Sequence, residues 1–317
     1  MKHSESDVME KIVSLCKRRG FVYQGSEIYG GLAGTWDYGP LGVVLKNNIK
    51  QLWWKKFVTD RVDMYGVDAA ILMNQGVWKA SGHVGGFSDL MVECKKCKRR
   101  FRADHLSHTK KCPECGGEVG ETKQFNMMFE THVGAVLDET SVSYLRPETA
   151  QGMFVNFKNV LDSFHPKLPF GLAQIGKAFR NEIAPRDFVF RAREFEQMEI
   201  EYFVRATEWE SEFEYWRKEM VSWIALMGLS SDKVHEIEVA PEERAHYSDR
   251  TIDFEYEFLF GKKELYGLTY RTDFDLKNHT AASGVDLAYF DEESKERFTP
   301  HVIEPTFGVD RTVLAVL

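Results

Sequence analysis

Residues 252–271 read IDFEYEFLFGKKELYGLTYR. Ile252, Phe254, Tyr256, Phe258 and Phe260 alternate with Asp253, Glu255, Glu257 and Leu259, the period-two pattern of a strand with one buried face. Gly261-Lys262-Lys263 can turn the chain into a second strand over 265–271, which predicts an antiparallel hairpin. Another strand is expected over 195–204. Met198, Ile200, Tyr202 and Val204 share one of its faces, and Gln197, Glu199, Glu201 and Phe203 share the other, so its carboxyl groups point the same way. Together with strands elsewhere in 171–204 and no regular strand–helix alternation, these segments predict an α+β fold with an antiparallel sheet rather than a doubly wound one.

Outward from this sheet, four helices are expected. Trp209, Phe213, Trp216, Met220, Trp223 and Met227 form one apolar stripe, with Thr207 and Glu210 as a capping box and Gly228 as the stop. Leu45, Ile49, Leu52, Trp53 and Phe57 mark a second helix, and its two tryptophans suit either core or a partner surface. Residues 149–163 read as a third. Val8, Ile12, Leu15 and Arg19 mark the first in the chain, capped by Ser4 and Asp7 and ended by Gly20. The apolar run 67–73 reads as a short buried strand. The glycines between Gly25 and Gly42 lack the Lys-Ser/Thr of a phosphate loop and read as a turn-rich connector.

At 317 residues the chain is long enough for about two domains, or one large domain with an insertion. Its 41 Lys plus Arg against 49 Asp plus Glu, a net charge of -8, exclude a protein that coats nucleic acid by bulk charge. No stretch approaches the roughly 20 apolar residues of a membrane span, and the first residues lack the apolar region of a signal peptide. Four of the five cysteines cluster between Cys94 and Cys115, which suits a metal site better than a secreted disulfide framework and agrees with a cytoplasmic location.

Cys94-x2-Cys97 and Cys112-x2-Cys115 have the spacing of two knuckles that together present four thiolates to Zn2+. Four sulfurs leave no position open for water, so the expected metal is structural, within an inserted ribbon over 92–120; the alternative is four unrelated thiols. Lys95, Lys96, Lys98, Arg99, Arg100, Lys110 and Lys111 around it suit RNA phosphates or a solvated face equally. In Phe179-Arg180-Asn181-Glu182 with Arg191 and Phe195, a guanidinium fork can hold phosphate, a carboxylate can accept from an amino group and a ring can stack on a base. The plain alternative is solvated loop charge. Glu304-Pro-Thr-Phe-Gly-Val-Asp-Arg311 pairs a glycine with an arginine, suiting a close approach to an anion or merely a strand-to-helix corner.

These segments, taken in order, resemble the catalytic domain of class II glycyl-tRNA synthetases of the homodimeric type, over nearly the whole chain. Gly39-Pro-Leu-Gly42 and the helix after it resemble motif 1, residues 179–195 motif 2 and Gly308 to Arg311 motif 3. Leu145-Arg-Pro-Glu-Thr-Ala-Gln-Gly152, Arg193-Glu-Phe-Glu-Gln197 and Arg271-Thr-Asp-Phe-Asp275 are similar to segments specific to the glycyl enzymes. The resemblance implies a six- to seven-stranded antiparallel sheet flanked by helices, a catalytic domain spanning 1–317, and a dimer through motif 1. It also implies activation of glycine by ATP with Mg2+, then transfer to the 3' end of glycine tRNA. By position, Arg180 would hold the α-phosphate, Arg191 and Arg311 the outer phosphates, Glu182 the adenine amino group and Phe195 its ring, with Asn181, Leu265 and Gly308 completing the ATP site. Glu264 would coordinate Mg2+. Glu148 and Glu304 would face the ammonium of glycine and Arg271 its carboxylate, with Arg102, Glu199 and Thr306 nearby.

Thr306 stands where the family pattern has serine, and the segment Glu264-Leu-Tyr-Gly-Leu-Thr-Tyr-Arg271 differs from the usual Glu-Leu-Trp-Gly-Ile-Ala-Asn-Arg. The family's anticodon-binding domain is expected to be absent after Leu317, which would weaken tRNA charging and bring a minihelix close to whole tRNA as a substrate. The competing reading is a non-catalytic synthetase paralogue serving as a dimeric nucleic-acid-binding or regulatory module. A zinc-ribbon RNA binder is a third.

Overall fold

The computed structural model describes residues 5–106 and 111–317. Ser4, Lys110 and the side chain of Asp7, and with them the expected N-terminal cap, lie outside the described residues.

The central sheet has seven strands: β1 (Met64–Gly66), β2 (Phe170–Phe179), β3 (Glu194–Val204), β4 (Val234–Glu238), β5 (Arg250–Phe258), β6 (Gly261–Thr272) and β7 (His301–Gly308). Their spatial order is β4-β5-β6-β7-β3-β2-β1, antiparallel at every pairing except that β1 runs parallel to β2. The main helices are α1 (Glu5–Arg19), α2 (Pro40–Trp54), α3 (Ala150–Phe164), α4 (Trp209–Leu226), α5 (Phe274–Ser283) and α6 (Val309–Val316). The architecture is α+β, as the alternating segments predict.

The two faces of β3 sort the molecule. Met198, Ile200, Tyr202 and Val204 join the main core with Phe213, Trp216, Met220 and Trp223 of α4 and with Trp53 of α2. Trp223 donates from Nε1 to the Tyr266 hydroxyl at 3.2 Å and meets the Phe307 ring at 6.1 Å. Truncating any one of these buried aromatics would cost about 3–5 kcal/mol. The opposite face is covered over part of its length by α3 and α5, whose Phe154, Phe157 and Leu276 pack on Phe203. Its remainder carries carboxyl groups instead of aliphatics.

Trp53 is fully buried, so the core alternative holds for it. The first glycine–proline turn is tight for a steric reason: a Cβ on Gly42 would fall 1.9 Å from the Phe21 carbonyl oxygen. The Val67 amide still donates to Ala173 O of β2 at 2.9 Å, and residues 68–71 then leave the sheet before the chain reaches the antiparallel partner of Val142–Leu145. The expected strand over 67–73 is thus broken: only Leu72–Met73 pairs, because the Ala69 carbonyl turns to accept from Arg146 Nη1 at 2.7 Å. The hairpin turn sits two residues earlier than expected, at Leu259 and Phe260, with Phe258 opposite Gly261 and Lys263 already paired with Tyr256. Leu259 and Phe260 keep negative φ, and the left-handed residue that lets the strands pair follows them at Gly261, with φ 109. The Thr207–Glu210 capping box does not form, since α4 begins after Glu208 and leaves Thr207 outside the cap position.

The cysteine-bearing segment hangs from a small antiparallel sheet in which Ser88–Glu93 pairs with Arg100–Arg102 and with Lys123–Asn126. Among the described residues no helix is long and apolar enough to cross a membrane.

Candidate active site

A cavity of about 250 Å³ opens where the β2–β3 connection meets β6 and the end of β7. It is lined by Arg180, Glu182, Arg191 and Phe195 from that connection and β3, Glu264 and Leu265 from β6, Thr306 and Gly308 from β7, Arg311 from α6, and Arg102. Arg180 donates from its backbone to Arg193 O at 2.8 Å and from Nε to Pro147 O at 3.1 Å. Its guanidinium lies over the rings of Phe87 and Phe195, 5.4 and 5.2 Å from their centroids. Asn181 takes part through its backbone, donating to Met127 O at 2.8 Å; its side chain does not line the cavity.

Backbone strain marks the connecting loop, where Asp187 and Phe188 adopt φ of 58 and 56. The turn Phe188–Phe190 then places the Phe190 ring under Arg311, 4.5 Å from the guanidinium carbon. Arg191 Nη1 and Glu182 Oε2 stand 3.7 Å apart, and both atoms are buried without a hydrogen-bond partner. Unsatisfied buried polar groups facing a cavity are places where a ligand's polar atoms fit. Burial lowers the Arg191 pKa, Glu182 opposes the shift, and the charges of Arg102, Arg186 and Arg311 lower it further. Mutually repelling guanidinium groups of this kind favour an anion between them.

Arg311 donates to the Glu264 carbonyl at 2.9 Å and pairs with its carboxylate at 3.2 Å. Arg311 holds the Glu264 pKa below its ordinary value against a smaller opposing effect of burial, with Arg180 and Arg191 assisting. The neighbouring Asp310 accepts from the Tyr38 hydroxyl at 2.5 Å, from Lys46 Nζ at 3.1 Å and from the Glu196 backbone at 2.7 Å. The helix bearing Arg311 is therefore tied both to β3 and to α2.

Beside the cavity lies a buried ionic cluster. Arg271, 1% exposed, donates from Nε and Nη2 to Asp275 at 2.8 and 3.0 Å and from Nη1 to Glu304 at 2.6 Å. The Tyr247 ring covers its guanidinium at 3.8 Å. Glu148 is held by His83 Nε2 at 3.3 Å and by Gln151 at 3.0 Å. Burial pushes the Glu148 carboxyl up, but the charge and hydrogen bond of His83, with Arg271, carry it well below the usual range. Glu199 accepts from Thr149 at 2.5 Å, from Gln197 at 3.1 Å and from Thr306 at 3.0 Å. Glu148, Glu199, Glu201, Asp275 and Glu304 thus crowd around the Arg271 guanidinium, with Arg146 acting on Glu199 and the imidazoles of His83 and His279 acting on Glu148 and Asp275, a surplus of carboxyl groups that suits a small cation.

Burial first, then the charges of Glu304 and Glu148, push the Glu199 carboxyl up to about 8 from 4.5, against the hydrogen bonds from Thr149 and Thr306. Between those values the folded protein keeps a proton that the unfolded chain has released, so this group makes stability fall as pH rises from about 4.5 to 8. Glu199→Gln is expected to remove that part of the decline. Urea midpoints at pH 5 and pH 8 check it, and an identical slope in both proteins would mean that Glu199 is ionised throughout.

The two groups of residues adjoin at the pairing of Glu199 with Thr306 and of Gln197 with Gly308. Arg102 lies with the arginines of the cavity, its guanidinium paired with Asp89 and Asp104, and does not join the buried cluster. Arg271 turns its donors to Asp275 and Glu304 rather than to the open cavity. The sequence reading gave no role in the site to His83, Phe87, Gln151, Glu201, Tyr247 or Asp275, although Gln151 and Asp275 lie in segments it singled out. Asp275 could have been found from its spacing, four residues after an arginine expected at the site.

Cys94, Cys97, Cys112 and Cys115 bring their sulfurs within 4.8 Å of one another, with Cys94–Cys115 at 3.5 Å and Cys97–Cys112 at 3.6 Å. A tetrahedron with metal–sulfur bonds of about 2.3 Å has edges of about 3.8 Å. These four thiols can hold a metal ion.

The antiparallel sheet, with an arginine-lined cavity on the face away from its aromatic core, defines the catalytic core of a class II tRNA synthetase. The tRNA synthetase class II core domain (G, H, P, S and T) matches residues 131–317. The solved structure of Giardia lamblia prolyl-tRNA synthetase in complex with prolyl-adenylate shares the fold, with a TM-score of 0.71 over 99% of this chain and 52% of its own, at 13% identity. The glycine–tRNA ligase of Treponema denticola is 51% identical over 311 residues, which is 96% of this chain and 69% of the relative. That of Alkaliphilus oremlandii is 51% identical over 337 aligned positions, 98% of this chain and 73% of the relative. The chain belongs to the class II synthetase family and, within it, to the glycine–tRNA ligases.

Proposed function

We infer that the protein activates glycine with ATP and transfers the glycyl group to the 3' end of glycine tRNA. The observation that carries this reading is the junction at Thr306 and Gln197, where a cluster with excess carboxylate meets a cavity with excess guanidinium. An amino acid bridging the two presents its ammonium to Glu148 and Glu304 and its carboxylate to the phosphates. A glycine carboxylate oxygen then attacks the α-phosphorus while the bond to the pyrophosphate oxygen breaks, so no side-chain nucleophile is required. Arg180 holds the α-phosphate, Arg191 and Arg311 the outer phosphates, and Glu182 and Phe195 the adenine, so catalysis is positioning and charge stabilisation. Arg271 serves by fixing Glu304. Mg2+ accompanying ATP would lie at Glu264, a carboxylate kept ionised at the cavity, and when bound would offset phosphate charge.

Glycine-dependent exchange of radioactive pyrophosphate into ATP tests the reading; exchange that needs a different amino acid, or none, would overturn it. A non-catalytic paralogue has no need of the paired Glu182–Arg191 gap and the Glu148–Arg271–Glu304 cluster together.

Residues 92–120 are, in this reading, a zinc module inserted into a catalytic domain spanning 1–317. Metal analysis of protein purified without chelators is expected to give one zinc per chain, and Cys112→Ser to lose it. Lys95, Arg99 and Arg100 around the module pair with Glu118, Glu114 and Glu93, which favours a solvated face over an RNA surface. The exposed Leu41, Val43 and Val44 of α2, near exposed Ile28 and Tyr29 in sequence, support a homodimer through motif 1.

A further inference from the structure

Among the buried carboxyl groups of the cluster, Glu201 has the most unusual surroundings. The register that pairs Glu199 with Thr306 and Tyr202 with Ile303 sets Glu201 opposite Glu304 on the neighbouring strand. On its other side it pairs with Leu172, which is fully buried and apolar. Glu201 itself is 0% exposed, and among the described residues no N–H or hydroxyl donor reaches either of its oxygens. Arg271 acts on it by charge but gives it no hydrogen bond, since the donors of that guanidinium go to Glu304 and Asp275. Glu199, two residues along on the same face of β3, is itself pushed towards its neutral form and offers no compensating positive charge. Opposed carboxylates in a dry site cannot both ionise, and the one with the guanidinium keeps the charge.

We propose that Glu201 is a positioning residue of the amino-acid pocket: a carboxylic acid that keeps its proton at neutral pH and donates it to Glu304. Glu304 is thereby held from two sides, by Arg271 and by Glu201, and the pair presents one negative charge to the substrate ammonium instead of two. An apolar residue would bury more cheaply at this position but would leave Glu304 free to swing about its bond to Arg271. The inference rests on reading the Glu304 cluster as the ammonium pocket.

Two measurements on the whole chain test it. Infrared spectra at neutral pH are expected to show the carbonyl band of a protonated carboxylic acid that Glu201→Gln abolishes. In pyrophosphate exchange, Glu201→Leu is expected to raise the KM for glycine roughly ten- to a hundredfold, the worth of one hydrogen bond to a charged group, without a comparable change in the KM for ATP. Glu201→Gln retains a donor and is expected to recover most of that loss. The proposal is overturned if no acid band disappears, or if the glutamine variant is as impaired as the leucine variant, since the ionised carboxylate would then be the working form. Should Glu201→Leu fail to fold, the glutamine variant and the infrared band still decide. Absence of any glycine-dependent exchange in the unaltered protein would instead defeat the functional reading and leave the band to be explained on its own.

Discussion

Replacing Arg180 with alanine is expected to slow glycine-dependent pyrophosphate exchange by about a hundred- to a thousandfold, the loss seen when one preorganised donor is taken from a developing charge. The effect on folding should be small by comparison. Arg180 contributes one bond from Nε to Pro147 O and two cation–ring contacts, the latter each worth about 0.5–1 kcal/mol at a partly exposed site. Circular dichroism melts run beside the exchange assay separate the two consequences. Exchange at close to the original rate would remove Arg180 from the reacting phosphate.

Arg271→Leu should do the opposite, damaging the fold and the activity together. The side chain is buried and makes three hydrogen bonds to two buried carboxylates. Removing one partner from such an arrangement costs about 3–5 kcal/mol, because the remaining charges stay buried and uncompensated. Orphaned carboxylates regain neutrality by binding protons, so the folded variant takes up protons that the original protein does not. Its deficit in urea stability should therefore narrow as the pH falls, and midpoints at pH 5 and pH 8 will show this. A uniform deficit across that range would mean that the guanidinium acts mainly through packing against Tyr247 and Phe154.

The fold was legible where one face of an element meets the main core. The alternation in β3 and the aromatic stripe of α4 are both one-sided, and each element lies where its pattern puts it. Residues 67–73 misled because an apolar run does not reveal whether its backbone will pair, and here Arg146 claims the Ala69 carbonyl. At the site, the residues of the motifs were legible and most of their contacts were not. Asp275 and Gln151 hydrogen-bond across 124 positions of sequence, and Tyr247 reaches Arg271 from another strand connection, so no local spacing announces either contact. Glu201 was hidden for a different reason. A carboxylate on the polar side of an amphipathic strand reads as solvent-facing, yet Glu201 is fully buried between Leu172 and Glu304 of the neighbouring strands.

Asp310 bears on how this protein would fail. Its carboxylate is gripped by Tyr38, Lys46 and the Glu196 backbone, so the helix that presents Arg311 is anchored, through Tyr38 and Lys46, at residues more than 260 positions earlier in the chain. A genetic selection for cells short of charged glycine tRNA would then recover lesions at Tyr38 and Lys46 that look, by phenotype, like damage to the chemistry. Inherited or selected variants in the second helix of this chain deserve to be sorted by what they do to Asp310 before they are ascribed to subunit assembly.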